Sequence, residues 1–190
     1  MRTLLLAIAL AWSTGVHAQA PAGPVVVDRV VATVGDRVIT ASDVLLETAL
    51  AERDPSPVPE IQQRRSDPLD ALIDLALARA EAGDISVYAP STMEVRDRLA
   101  ALRARWADPR DWTSFLQQVG HGEDQLAGAL YSRMVAERYI QRNVTGPARG
   151  RSEDPAHAAQ AAEAAYARWS AEQRQRVRIR SVPPLSDSTP

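Results

Sequence analysis

Three histidines and no cysteine set the limit on the chemistry open to this chain. His17 stands in an apolar N-terminal run, His121 follows a glycine, and His157 falls near the expected start of a helix. No spacing among them makes a metal site, and without cysteine no thiolate site forms. The sequence carries no nucleophile elbow, zincin motif, phosphate-binding loop or dinucleotide fingerprint. Glu123 and Asp124 are adjacent acids, a pattern that the dipole of a helix start accounts for. We therefore expect no enzyme, no cofactor and no metal. What remains is apolar display. Trp106, Trp112 and Phe115 lie close together across a proline turn, while Tyr131 and Met134 ride on the longest expected helix. Such residues fit a core and equally fit an apolar groove for extended polypeptide, with methionine as the adaptable contact.

The elements that must position them start with a hairpin. Val30, Ala32 and Val34 alternate with Val31 and Thr33 as in a strand. Gly35-Asp36 supplies the positive φ of a two-residue turn, and Arg37 to Thr40 returns. Thr40 and Asp43 form a capping box ahead of a helix to about Glu52. Prolines 55, 57 and 59 break it. Asp67-Pro68 restarts a helix with Leu69, Leu72, Ile73 and Ala76 inward and Gly83 at its end. Ile85 and Val87 read as a short apolar crossing. Ser91 and Glu94 form a second capping box, followed by Val95, Leu99, Leu102 and Trp106 on one face, with Glu94 and Arg98 as an i, i+4 pair.

A short helix carrying Trp112, Phe115, Leu116 and Val119 should stop at Gly120. The longest should run from about Glu123 to Asn143, with Leu126, Leu130, Met134 and Val135 inward, and break at Gly146-Pro147. An alanine-rich helix from about Pro155 to Gln175 follows. In Arg176 to Arg180, valine and isoleucine alternate with arginine, the pattern of a half-covered strand able to join the hairpin. The fold class is thus mostly α: a helical domain with a small antiparallel sheet made from the N-terminal hairpin and the C-terminal strand.

Composition narrows the partners. The net charge is −2 over 190 residues, and all 22 cationic side chains are arginine interleaved with acids, which argues against nucleic acid. Met1-Arg2, the apolar run Leu4 to Trp12 and a small-x-small site near Ala18 or Ala20 read as a signal peptide over residues 1–20. That run is shorter than the roughly 20 residues a membrane span needs, so no span is expected after cleavage. The expected organisation is a signal peptide at 1–20, a helical core at 21–182 and a disordered tail at 183–190, in a protein of the periplasm.

The stretch VVDRVVATVGDRVITASDV resembles the N-terminal signature of the SurA-type periplasmic chaperones, with Ser42-Asp43-Val44 at the helix opening. LDALIDLALARAEAGDI and STMEV are similar to the helices that follow in that family. Trp169, Glu172, Gln173, Arg174, Val177 and Ile179 resemble its final helix and strand. Between Asn143 and the last helix there is only VTGPARGRSEDP, too short for a proline isomerase domain of about a hundred residues. The resemblance implies a SurA-like core lacking those domains: an ATP-independent holdase for unfolded or extended envelope polypeptides, with Trp106, Trp112, Phe115, Tyr131 and Met134 as groove residues. The alternative is an interaction module for one fixed envelope partner. The oligomeric state is left open.

Overall fold

The computed structural model describes residues 28–182; the expected signal peptide and tail lie outside the described residues. Strand β1 (Val30–Val34) pairs antiparallel with β2 (Arg37–Thr40), and Gly35 turns between them with φ of 57°. The C-terminal strand β3 (Ile179–Ser181) pairs antiparallel with the other side of β1, giving the order β2-β1-β3. The sheet is the one expected from the two chain ends. One detail differs: the register shifts between Val30 and Ala32. The bulge rotates Val30 out to 37% exposure, whereas Ala32 and Val34 stay buried and Val31 packs partly against the core.

Five helices start where a side chain satisfies a free N–H group of the first turn. Ahead of α1 (Ala41–Arg53), Thr40 Oγ1 accepts the Asp43 N–H and Asp43 Oδ2 accepts the Thr40 N–H, at 3.3 and 2.9 Å. Ser91 and Glu94 do the same for α4 (Thr92–Arg103) at 3.2 and 2.7 Å. Asp67-Pro68 opens α3 (Pro68–Ala82), Asp108-Pro109 opens α5 (Pro109–Val119), and Asp154-Pro155 opens α8 (Pro155–Arg176). Each aspartate caps a backbone N–H, and such caps are worth about 1 kcal/mol apiece. A five-residue helix, α2 (Pro59–Gln63), interrupts the proline-rich connection and buries Val58 and Ile61.

Helix α3 lies at the centre, against α1, α8, β1 and α6 (Glu123–Tyr139). Its sequence predicts one apolar stripe, but Ala71 and Ile73 to Ala78 are all buried, as in a helix wrapped by neighbours. The residue in that run that looks out of place, Asp74, is fully buried. Its Oδ2 accepts the Tyr166 hydroxyl at 2.9 Å, and its Oδ1 accepts the Ser170 hydroxyl and the Arg174 Nη2–H, both at 2.7 Å. This cluster ties α8 to α3 and thereby fixes where β3 meets the hairpin. Burial, then the Asp74 charge, pushes the Tyr166 phenol far above its ordinary pKa.

Four sequence expectations are corrected. Helix α4 ends at Arg103, so Trp106 sits in the turn beyond it rather than on its stripe. Glu94 pairs with Arg138, and Arg98 turns instead to Asp54 and Glu137. Ile85 and Val87 cross nothing; they are 57% and 48% exposed in a turn. Gly146-Pro147 does not end the long helix, which widens into a π-helical stretch, Ile140–Thr145, and continues as α7 (Gly146–Arg149). Pro147 brings no N–H to the ladder, and the Gly146 N–H reaches back five residues to the Gln141 carbonyl. A Cβ at Gly146 would strike that carbonyl oxygen, so glycine is what lets the wide turn close.

Candidate functional site

A cleft of about 390 Å³ opens between α1 and α5, inside the roughly 300–1,000 Å³ typical of ligand pockets. Its two walls are helical stripes of matching period: Leu45, Thr48, Ala49 and Glu52 from α1, and Asp111, Ser114, Phe115 and Gln118 from α5. Both follow the i, i+3, i+4, i+7 spacing, because the rest of each helix's inner face is consumed by the core. Seven residue rises make each wall about 10 Å long, enough for roughly three residues of extended chain. Phe115 and Val119 form the floor, 6% and 2% exposed, while Leu45 stands up at 51% on the α1 side.

Trp106 closes one end. Its ring lies 4.6 Å from Phe115 and 5.1 Å from Trp112, centroid to centroid, and the Arg53 guanidinium sits 5.2 Å from its ring centre. The aromatic stacking and the cation–π contact hold the half-buried indole in place although it belongs to no helix. Glu52 and Asp111 line the cleft beside Arg53, which approaches Glu52 at 3.5 Å. The arrangement offers apolar contact and hydroxyl or amide hydrogen bonds; it holds no paired acid, base and nucleophile.

Two of the five residues singled out in the sequence line this cleft, Trp106 and Phe115. Trp112 stands directly behind them, 3% exposed, and its Nε1–H donates to Glu123 Oε1 at 2.7 Å, so it backs the site from the core. Tyr131 and Met134 are elsewhere. Tyr131 lines a separate, smaller cleft with Arg79, Ile85 and Ala89 at the α3–α4 connection, and Met134 is half-buried on α6. Sequence reasoning missed Leu45, Ala49 and Arg53. The signal available was Leu45-Leu46: consecutive leucines on a helix lie about 100° apart, so Leu46 packing in the core leaves Leu45 turned toward the cleft.

Beneath the cleft, buried charges fix α1 against α4 and α6. Arg133 bonds Glu47 and, at 3.0 Å, Glu137; Arg98 reaches Glu137 at 2.6 Å and Asp54 at 2.7 Å. Glu47 and Arg133 are 4% exposed and Glu137 3%. Burial holds the Glu47 carboxyl above the usual range, with Arg133 opposing that shift. Burial would lower the Arg98 pKa, but Glu137 and Asp54 raise it on balance. Three carboxylates share two guanidiniums, and a charge set of this kind specifies which helix faces meet more than it adds stability.

Among the described residues no group of three or more histidine, cysteine or acidic side chains could hold a metal ion, and no helix is long and apolar enough to cross a membrane. Compared with protein-family models and with curated proteins, the chain matches none.

Proposed function

We propose that this protein is an ATP-independent holdase of the periplasm that binds unfolded or extended envelope polypeptides, without proline isomerase activity. The observation that carries this reading is the α1–α5 cleft: an apolar floor, a half-exposed leucine on one wall, a pinned indole at the end, and room for about three extended residues. A client side chain entering it would exchange water for Phe115, Val119 and Trp106, worth about 1.5–3 kcal/mol for one large apolar residue. That is weak binding per site. Weak binding suits a protein that must release its client to the client's own folding, which competes for the same apolar surface.

The test is aggregation of a urea-diluted outer-membrane β-barrel protein, followed by light scattering with and without the purified mature chain. Suppression near stoichiometric ratio in the absence of nucleotide supports the holdase. No suppression by a well-folded sample rejects it and favours a module for one fixed envelope partner, bound through the same cleft.

A further inference from the structure

The sheet carries a second surface, away from the α1–α5 cleft. Gly35 N–H donates to the Arg178 carbonyl at 3.0 Å, and Val182 N–H donates to the Val31 carbonyl at 2.8 Å. In an antiparallel ladder the backbone groups of alternate residues face opposite sides. Arg178, Arg180 and Val182 therefore face β1, and the N–H and C=O groups of Ile179 and Ser181 face outward along the edge of β3 that no strand among the described residues pairs with. The side chains alternate across the sheet in the other sense. Ile179 packs against the core opposite Val34, whereas Arg178 and Arg180 are exposed on the far face, Arg180 opposite Thr33. The last ion-paired cation along the described chain is Arg174; Arg176, Arg178 and Arg180 beyond it form no ion pair among the described residues. In a chain of net charge −2, this edge gathers positive charge that no acid among the described residues pairs with.

We infer that the outer edge of β3 takes up an extended polypeptide segment in which acidic and apolar residues alternate, adding it to the sheet as a fourth strand. The backbone of Ile179 and Ser181 supplies the ladder hydrogen bonds. Apolar residues of the added strand lie beside Ile179 over the core, and acidic ones lie beside Arg178 and Arg180 on the open face, each a favourable cross-strand pair. A second copy of this chain is the wrong occupant, because two β3 edges side by side would set arginines against arginines. This surface stands whether or not the cleft binds clients.

The experiment uses the full mature chain and two synthetic heptapeptides, one alternating valine with glutamate and one alternating valine with arginine. The glutamate peptide should bind about tenfold tighter than the arginine peptide, the effect of two cross-strand pairs turned from attraction to repulsion. The double variant Arg178→Glu/Arg180→Glu should invert that order, with its melting temperature reported alongside. On binding, hydrogen exchange should slow at the Ile179 and Ser181 amides and stay unchanged at Arg180, which β1 already holds. Ser181→Pro removes only an outward N–H and should weaken binding while keeping the β1–β3 ladder. Equal affinity for both peptides, or no inversion in the double variant, overturns the inference. Protection of Ile179 and Ser181 in the free protein also overturns it, since the edge would then be filled by another part of the chain or by a second copy.

Discussion

Replacing Asp74 by leucine tests the contact that closes the two ends of the chain on each other. The carboxylate is fully buried and receives the Tyr166 and Ser170 hydroxyls, both in residues 3% exposed, together with the Arg174 guanidinium. Arg64 also approaches it, with Nε 3.3 Å from Oδ2. Leucine fills the space but leaves the O–H donors of two buried hydroxyls without their acceptor, each costing about 1–3 kcal/mol, although Ser170 Oγ still accepts the Arg174 Nε–H at 3.1 Å. The charges lose less than a fully buried pair would. The Arg174 and Arg64 side chains are 28% and 31% exposed, and both keep Asp70. The sum is about 3–4 kcal/mol, at the low end for breaking a buried pair. In a chain of this size that lowers the melting temperature by about 6–16 °C. Urea unfolding followed by tryptophan fluorescence measures it, and the double variant Asp74→Leu/Arg174→Leu should recover part of the loss as a coupling of about 0.5–3 kcal/mol. A loss below about 1 kcal/mol for Asp74→Leu would refute the assignment of Asp74 as the α3–α8 tie.

The buried charge set under the cleft should show its sign in pH. A carboxyl whose folded pKa is raised binds its proton more tightly when folded, so stability from Glu47 falls as pH climbs from the ordinary glutamate range through the raised value. Glu47→Gln should therefore flatten the decline of urea midpoints as pH rises above the ordinary glutamate range, staying within about 1 kcal/mol of the parent at pH 7 because Arg133 keeps Glu137. Arg133→Met, which strands the buried Glu47 carboxylate while Arg98 still holds Glu137, should instead cost about 3–5 kcal/mol. At the π-helical stretch, Gly146→Ala should destabilise by about 1–3 kcal/mol through its clash with the Gln141 carbonyl. Gly128→Ala, an exposed site with no atom near its absent Cβ, should stabilise by about 0.5–1 kcal/mol. Thermal melts of both variants giving the same sign would contradict the π-helical account.

Local chemistry carried most of the fold. The positive φ at Gly35, the capping boxes at Thr40 and Ser91, the Asp-Pro starts of α3 and α5, and the alternation in β3 are all legible because neighbours in sequence cause them. The charged core was not. Glu47, Arg133 and Glu137 read as solvent-facing by residue type, although their spacing sets them on the buried stripes of Leu46 and Leu50 and of Leu126 and Leu130. Only partners tens of residues away make their burial tolerable. Asp74 did leave a trace: one acid inside the apolar run from Leu72 to Ala78 is out of place on a core helix. Pro147 was misread for a related reason, since a lost hydrogen bond ends a helix only if no wider turn absorbs it.

The candidate site was half legible. Trp106, Trp112 and Phe115 meet because a proline turn brings them together within ten residues, whereas the α1 wall comes from residues more than fifty positions earlier. Tyr131 and Met134 shared only residue type with them.

The most direct test of the cleft is to compare Leu45→Ser and Trp106→Ala with Trp112→Phe in the light-scattering assay, with melting temperatures measured on the same samples. Leu45 is half-exposed and Trp106 half-buried, whereas Trp112 is core. If the cleft binds clients, Leu45→Ser should lose most suppression with a melting temperature within about 2 °C of the parent, the scale of a surface change. Trp106→Ala should lose suppression with a modest drop in stability, and Trp112→Phe should lower stability yet leave suppression intact below its melting point. Full suppression by Leu45→Ser and Trp106→Ala together would contradict the account, because no apolar wall or end would then remain for a client to fill.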